Sequence, residues 1–367
     1  MWNRNESIAR IAARLGLMLL IWMSAGAANA QTVCRYNDDN PYGAAMFNAV
    51  APLNITALTI GRDVPDGTEL YRQTIYGRGQ YRLYCPAAVT SLVNQLTLPV
   101  KPKVLSSWNT GTYAGKTYET GVAGIGVAIW RGSVVFEDTF SSANNGNTVW
   151  GISSAFDISL IKIGPVSPGV ITGANLPTAQ FGINGIVLAR TRFTGNIQIV
   201  SQTCTTPDVT VPLGEYKVSD FPTVGSATPW KDFSIRLQNC PAFYGRSASL
   251  RNTDSAAGWV ESNKTLNPNV LQFSLEPTNG TAAIYPGTVR LSPAASGPAS
   301  ATGIGVQIVD PSLTPVKFLT QMPTNITPTA VSGASYTIPL QARYIRITGT
   351  LAPGPANAAV MFTINYQ

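Results

Sequence analysis

Three groups of residues in this chain have the types and spacing to hold a ligand. Asp38 and Asp39 stand in the run Tyr36-Asn37-Asp38-Asp39-Asn40-Pro41-Tyr42 beside Cys34, and Asn144, Asn145 and Trp150 stand in Ser141-Ser-Ala-Asn-Asn-Gly-Asn-Thr-Val-Trp150. Carboxylates and amides can bond sugar hydroxyls while an aromatic ring covers an apolar sugar face, as in sites that combine apolar walls with a few placed polar groups. The third group, Tyr71-Arg72, Tyr76, Arg78, Tyr81-Arg82 and Tyr84, joins rings to guanidinium groups. Tyr and Arg are enriched at protein interfaces, and this run suits an anionic glycan or an extracellular-matrix protein. Each group also has a plainer reading. Asn145-Gly146 is a hairpin-turn signal, Asp38 and Asp39 fit a solvated loop, and tyrosines at alternate strand positions fit packing. Trp108 and Trp130 read as core anchors.

Catalytic chemistry is poorly provided for. No histidine occurs in 367 residues, which removes imidazole acid–base catalysis, Ser-His triads and the commonest metal ligand. Glu137-Asp138 are adjacent, and neighbours on a strand point to opposite faces, so they do not make a carboxylate pair. Gly111-Thr-Tyr-Ala-Gly-Lys-Thr117 is one residue short of a phosphate loop. The glycines of Gly121-Val-Ala-Gly-Ile-Gly126 have no helix pattern after them, which favours close strand packing over dinucleotide binding. The expectation is a binding protein, not an enzyme, that needs no cofactor or metal.

The elements that must position these residues are strands. Only 12% of residues are charged and 44% are hydrophobic, and 33 Gly and 26 Pro are spread without a low-complexity run, a composition typical of short strands joined by turns. The N-terminus carries Arg4, Arg10 and Arg14, an apolar run from Leu15 to Ala25, and Ala28-Asn29-Ala30. That is a secretory signal peptide over 1–30, with the mature chain expected to start at Gln31. Of the net charge of +7, the signal peptide's three arginines against Glu6 supply +2, leaving no basic stripe of a nucleic-acid binder. Export makes the four cysteines a disulfide question. Three pairings are possible, and the spacing favours Cys34 with Cys85 and Cys204 with Cys240. The apolar alternation restarts near Asn196, dividing the mature chain into 31–194 and 195–367, each of usual domain size.

The chain end is the most informative stretch. From Gly354, fourteenth from the end, the sequence runs to Val360-Met-Phe-Thr-Ile-Asn-Tyr366-Gln367. Val360, Phe362, Ile364 and Tyr366 fall on one face of a strand. An apolar strand with an open edge invites pairing, so the sequence implies a strand supplied by another chain. Upstream stand a cysteine closing Asn196-Ile-Gln-Ile-Val-Ser-Gln-Thr-Cys204, the segment Val209-Thr-Val-Pro-Leu-Gly214, and Phe233-Ser-Ile-Arg-Leu-Gln-Asn-Cys240.

In that order, with that tail, these motifs resemble the pilin domain of chaperone/usher fimbrial subunits. The resemblance implies an incomplete immunoglobulin-like β-sandwich lacking its last strand. A periplasmic chaperone completes it first, and after handover at an outer-membrane usher the next pilin or adaptor subunit does so by donor-strand complementation. Gly354, Val360, Phe362, Ile364 and Tyr366 would line that groove, with the strand beginning near Asn196 on its other side. Cys34 arrives at the fourth mature residue, leaving no room for a donor extension, and a whole domain precedes the pilin half. This arrangement is similar to a two-domain tip adhesin, all-β with two sandwich domains, which binds a host glycan or matrix protein through residues 31–194 and is anchored through 195–367. A non-adhesive tip cap or assembly initiator is the alternative. Gly124 to Trp150 is also loosely similar to the mannose-binding type 1 fimbrial adhesin, and that resemblance carries over only Asn144, Asn145 and Trp150. Cys85 is followed here by Pro86-Ala-Ala-Val89 instead of an Asn-Asp pair, which argues against mannose itself.

Overall fold

The computed structural model describes residues 33–77, 79–146, 148–246, 249–255, 258–262, 265–294 and 296–367. Residues 1–30, expected to be a signal peptide, and Arg78 lie outside the described residues. Among those described, the regular structure is strand, with two single 3-10 turns at Gly173–Asn175 and Val218–Asp220. The all-β structure expected from composition is therefore what forms.

Two separate hydrophobic cores organise the strands. The first draws on residues from Cys34 to Ile199 together with Leu250, and the second on residues from Cys204 to Tyr366. Around the first core stand a three-stranded sheet (Arg35–Tyr36, Gln80–Cys85, Thr148–Ser153) and a five-stranded sheet centred on Ser91–Val100 and Thr178–Ile183. A larger sheet is built on Glu69–Tyr76, Phe156–Lys162 and Ile125–Arg131. In Ser91–Val100 the residues Leu92, Leu96 and Leu98 are buried and alternate with more exposed ones, as expected where one face of a strand meets a core. Phe156–Lys162, paired on one edge with Glu69–Tyr76 and on the other with Ile125–Arg131, is buried along its whole length.

The second core lies between an antiparallel sheet of Lys231–Cys240, Ala334–Arg346, Ile304–Val309 and Thr288–Arg290, and a smaller one of Met322–Pro323, Leu271–Pro277 and Val360–Tyr366. One disulfide serves each core, Cys34–Cys85 and Cys204–Cys240, the pairing that the spacing favours. Cys85 and Cys240 are fully buried.

Two segments depart from the expected layout. The strand Asn196–Val200 pairs antiparallel with Gly169–Thr172 and parallel with Ala57–Thr59, and Ile197 and Ile199 are fully buried in the first core. It does not border a groove in the second. Alternation shows that one face of a strand is buried but not what it is buried against, and Gly195 only turns the chain from one first-core strand into the next. The hairpin Ser249–Ser255/Gly258–Ser262 likewise leaves the second half and adds to Glu69–Tyr76 in parallel. Leu250 carries it into the first core.

Candidate functional site

Among the described residues, the terminal strand Val360–Tyr366 is an edge strand, paired along one side with Leu271–Pro277. Val270 and Gln367 exchange both backbone hydrogen bonds, at 2.7 and 2.9 Å, and the Thr278 N–H donates to Ala359 O at 3.1 Å. Hydrogen-bonded and non-hydrogen-bonded pairs alternate in an antiparallel ladder, so both observations fix the phase. The odd-numbered residues bond to Leu271–Pro277, while Val360, Phe362, Ile364 and Tyr366 turn their N–H and C=O groups to the open side. Pro277 falls opposite Val360, at a place where the ladder between these two strands needs no N–H from it.

Beside that open edge lies an apolar cleft of about 430 Å³. Val360 and Phe362 form one wall, Val209, Val211 and Leu213 another, and Ile235, Val306, Ile308 and Leu340 the floor. The 206–217 segment, which holds the V-x-V-P-L-G motif, forms no strand. Ile364 and Tyr366 are buried, whereas Val360 and Phe362 are only half-buried although they point the same way. The core is thus closed at one end of the terminal strand and open at the other. The cleft continues past Tyr344, Ala356 and Asn357 into a second of about 730 Å³ lined by Tyr216, Phe221, Leu351 and Gly354. A Cβ at Gly354 would collide with the Ala299 carbonyl, so this position is held by glycine for close backbone approach. Ala301 N–H donates to Pro355 O at 3.0 Å and pins the same segment.

The proposed ligand residues gather on the three-stranded sheet of the first half. Arg35, Tyr84 and Val149 sit across from one another in register, with the Arg35 guanidinium 5.2 Å from the centre of the Tyr84 ring. Arg35 pairs with Asp38 at 3.1 Å, and Arg82 pairs with Asp39. The Asn37 amide, and after it Arg82, hold the Asp39 carboxyl below the usual carboxylate range. The acidic loop and Arg82, read separately in the sequence, therefore form one charged surface.

The rest of the Tyr/Arg run divides. Tyr71 and Tyr81 are fully buried, because strand alternation sends them inward. Arg72 and Tyr76 belong to a different sheet from Arg82 and Tyr84. Arg72 lies 4.3 Å from the ring of Trp130, whose Nε1 donates to Ser159 Oγ at 3.0 Å. Trp130 is half-buried beneath Arg72 and outside the first core, unlike the core anchor expected. Only the cross-strand neighbour Ser159, invisible in the sequence, reveals this arrangement.

Asn144 is engaged by its own fold. Its Nδ2 donates to Val89 O at 2.7 Å and Pro86 O at 3.1 Å, and its Oδ1 accepts from Trp150 Nε1 at 3.1 Å. Trp150 packs against the first core. Asn145 is exposed beside them.

The residues with superficial catalytic patterns are also engaged. Glu137 bonds the Leu98 N–H at 2.7 Å and Lys101 at 3.0 Å, while Asp138 pairs with Lys116 at 2.5 Å. Thr117 is fully buried, with its hydroxyl donating to Tyr113 O at 2.8 Å. A Cβ at Gly124 would strike the Pro165 carbonyl, in keeping with close packing.

Fold and site together define an all-β protein, disulfide-bonded around each of two cores, with an open sheet edge beside an apolar cleft. The family model described as "Fimbrial protein" matches residues 191–367. A type-1 fimbrial protein subunit of Serratia marcescens is 33% identical over 48% of this chain and 85% of its own length. The S-fimbrial adhesin protein SfaS of Escherichia coli O6:K15:H31 is 33% identical over 25% of this chain and 55% of its own. The CupB6 tip adhesin structure from Pseudomonas aeruginosa is similar over 87% of this chain and 93% of that one, at 17% identity and a TM-score of 0.33. The chain belongs to the fimbrial protein family.

Proposed function

We propose that this fimbrial protein is a tip adhesin whose second half, roughly 195–367, accepts a strand from another chain and whose first half binds a receptor. The observation that carries the first part is the phase of the terminal strand. Val360 and Phe362 present backbone groups to an open edge beside a cleft lined by apolar side chains, and an extended peptide of alternating apolar residues supplies what both lack. In a fimbrial protein, the donors are a periplasmic chaperone during export and then the next pilin or adaptor subunit, with transfer at an outer-membrane usher.

The adhesin part rests on the disulfide-bonded β-unit that precedes the family-matched region. Its Asp38, Asp39, Arg82 and Tyr84 offer paired charges and a ring to a host glycan or matrix protein, and Asn145 and Trp150 lie on the neighbouring strand and its loop. The self-satisfied amide of Asn144 favours a second reading, a structural cap or assembly initiator whose first half holds no receptor. Gene deletion separates the two: lost adherence with fimbriae still assembled fits the adhesin, and lost fimbriae fit the initiator.

The direct test is binding of the full mature chain to a glycan array that also carries collagens, fibronectin and laminin. The full chain is required because Asn196–Val200 and Leu250 complete the first core. A hit abolished by Asp38→Ala or Arg82→Ala supports the adhesin, and silence on every spot removes it.

A further inference from the structure

The open edge of the terminal strand is covered at one end by the first half of the chain. The backbone N–H of Tyr366 donates to the Asp63 carboxylate at 3.0 Å, and the Arg62 guanidinium reaches Ile364 O at 3.4 Å. These are two of the outward-turned groups that an added strand would need. Gly61 lies so close that a Cβ there would overlap the Tyr366 carbonyl. The segment is anchored from behind. Thr59 N–H donates to Gly245 O at 3.1 Å, and buried Asn269 donates to Thr59 O at 2.9 Å. Asn269 also accepts the Gly245 N–H at 3.0 Å.

We infer that Gly61-Arg62-Asp63 is a register stop: it ends the strand-accepting edge at Phe362 and so dictates where an incoming apolar strand begins. The inference rests on the strand-acceptor reading above. With Ile364 and Tyr366 occupied, the available edge is Val360 and Phe362, followed by the cleft toward Gly354. An antiparallel strand enters with its N-terminal residue opposite Phe362, and its later residues fall over the half-open part of the core. The first half thereby selects the register of the partner held by the second. Asp63 is a positioning residue in this account, since it accepts a backbone bond in place of the donor.

The test uses the full mature chain and synthetic peptides of alternating valine and threonine, one short and one lengthened by a Val-Thr pair at its N-terminus. Amide exchange and affinity are read together. In the native chain the peptide protects the Val360 and Phe362 amides and leaves Ile364 unchanged, and lengthening adds no affinity. In Arg62→Ala/Asp63→Ala, protection spreads to Ile364 and the longer peptide binds on the order of tenfold tighter, the value of one or two backbone hydrogen bonds. Asp63→Asn keeps an acceptor and behaves as native. Protection of Ile364 in the native chain, or equal gain from lengthening in native and variant, overturns the stop while leaving strand acceptance standing. Absence of binding by every peptide overturns both.

Discussion

The indole N–H of Trp150 donates to Asn144 Oδ1 at 3.1 Å while the same amide's Nδ2 bridges Val89 O and Pro86 O. One side chain thus ties the end of the Asp138–Ala143 strand to the chain after Cys85 and to the next strand's tryptophan. Asn144→Ala leaves those groups without their partner and is expected to cost about 1–3 kcal/mol. Asn145→Ala, exposed beside it, should stay within about 0.5 kcal/mol. Urea unfolding of both variants checks this. Loss of receptor binding in Asn144→Ala should accompany a lowered midpoint, whereas loss in Asn145→Ala should not.

Cys204–Cys240 clips Thr205 to Gln238, which exchange backbone hydrogen bonds of 2.8 Å in both directions. Replacing both cysteines by serine should cost the second half about 2–4 kcal/mol. The readout is the denaturant midpoint of the oxidised double variant against native chain, both without reductant. An unchanged midpoint would contradict the pairing.

Asp39 gives a pH dependence of known sign. Its folded carboxyl titrates below the unfolded value, chiefly through the Asn37 amide and then Arg82. Its stabilisation is therefore present above about pH 4 and is lost as pH falls through the lower folded value. An NMR titration of Asp39 should show the lowered midpoint, and Arg82→Gln should move it part of the way up. A receptor held by this loop should dissociate over the same acidic window.

Phe362 should matter for partner binding more than for folding alone. It is half-buried beside the open cleft, so Phe362→Asp places a charge where an apolar strand must pack. The variant is expected to lose donor-peptide binding at least ~10-fold, because a charge buried without a partner is disfavoured. Met361→Asp, on the exposed outer face, should bind as native. Isothermal titration of the two variants makes the comparison.

Much of this was legible in the residues. Alternation from Val360 to Tyr366 and the cysteine spacing led to the terminal strand and the bridges. What alternation could not supply is the identity of the partner surface. Ile197 and Ile199 have the same pattern whether they pack in the first core or the second, and only their pairing with Ala57–Thr59 decides. Leu250 gave no signal at all, since its place in the first core comes from a parallel pairing with Gln73, about half the chain away. The same limit applies to the candidate site. Asp39 and Arg82 are far apart in sequence and meet because Arg35–Tyr36 and Gln80–Cys85 are paired. The Asn144 amide, which reads as a ligand group in the sequence, is consumed by Pro86, Val89 and Trp150.

The most direct test of the account is thermal unfolding of the full mature chain with and without a synthetic strand peptide of alternating valine and threonine. At about a hundredfold excess over its dissociation constant, a ligand that binds only the folded state stabilises by ~2.7 kcal/mol. For a unit of this size that raises the midpoint of the second half by about 5–10 °C. That rise is expected in native chain, with its loss in Phe362→Asp and aggregation of peptide-free chain on standing. A peptide-free chain that stays monodisperse and shows the same midpoint with every peptide would contradict strand acceptance.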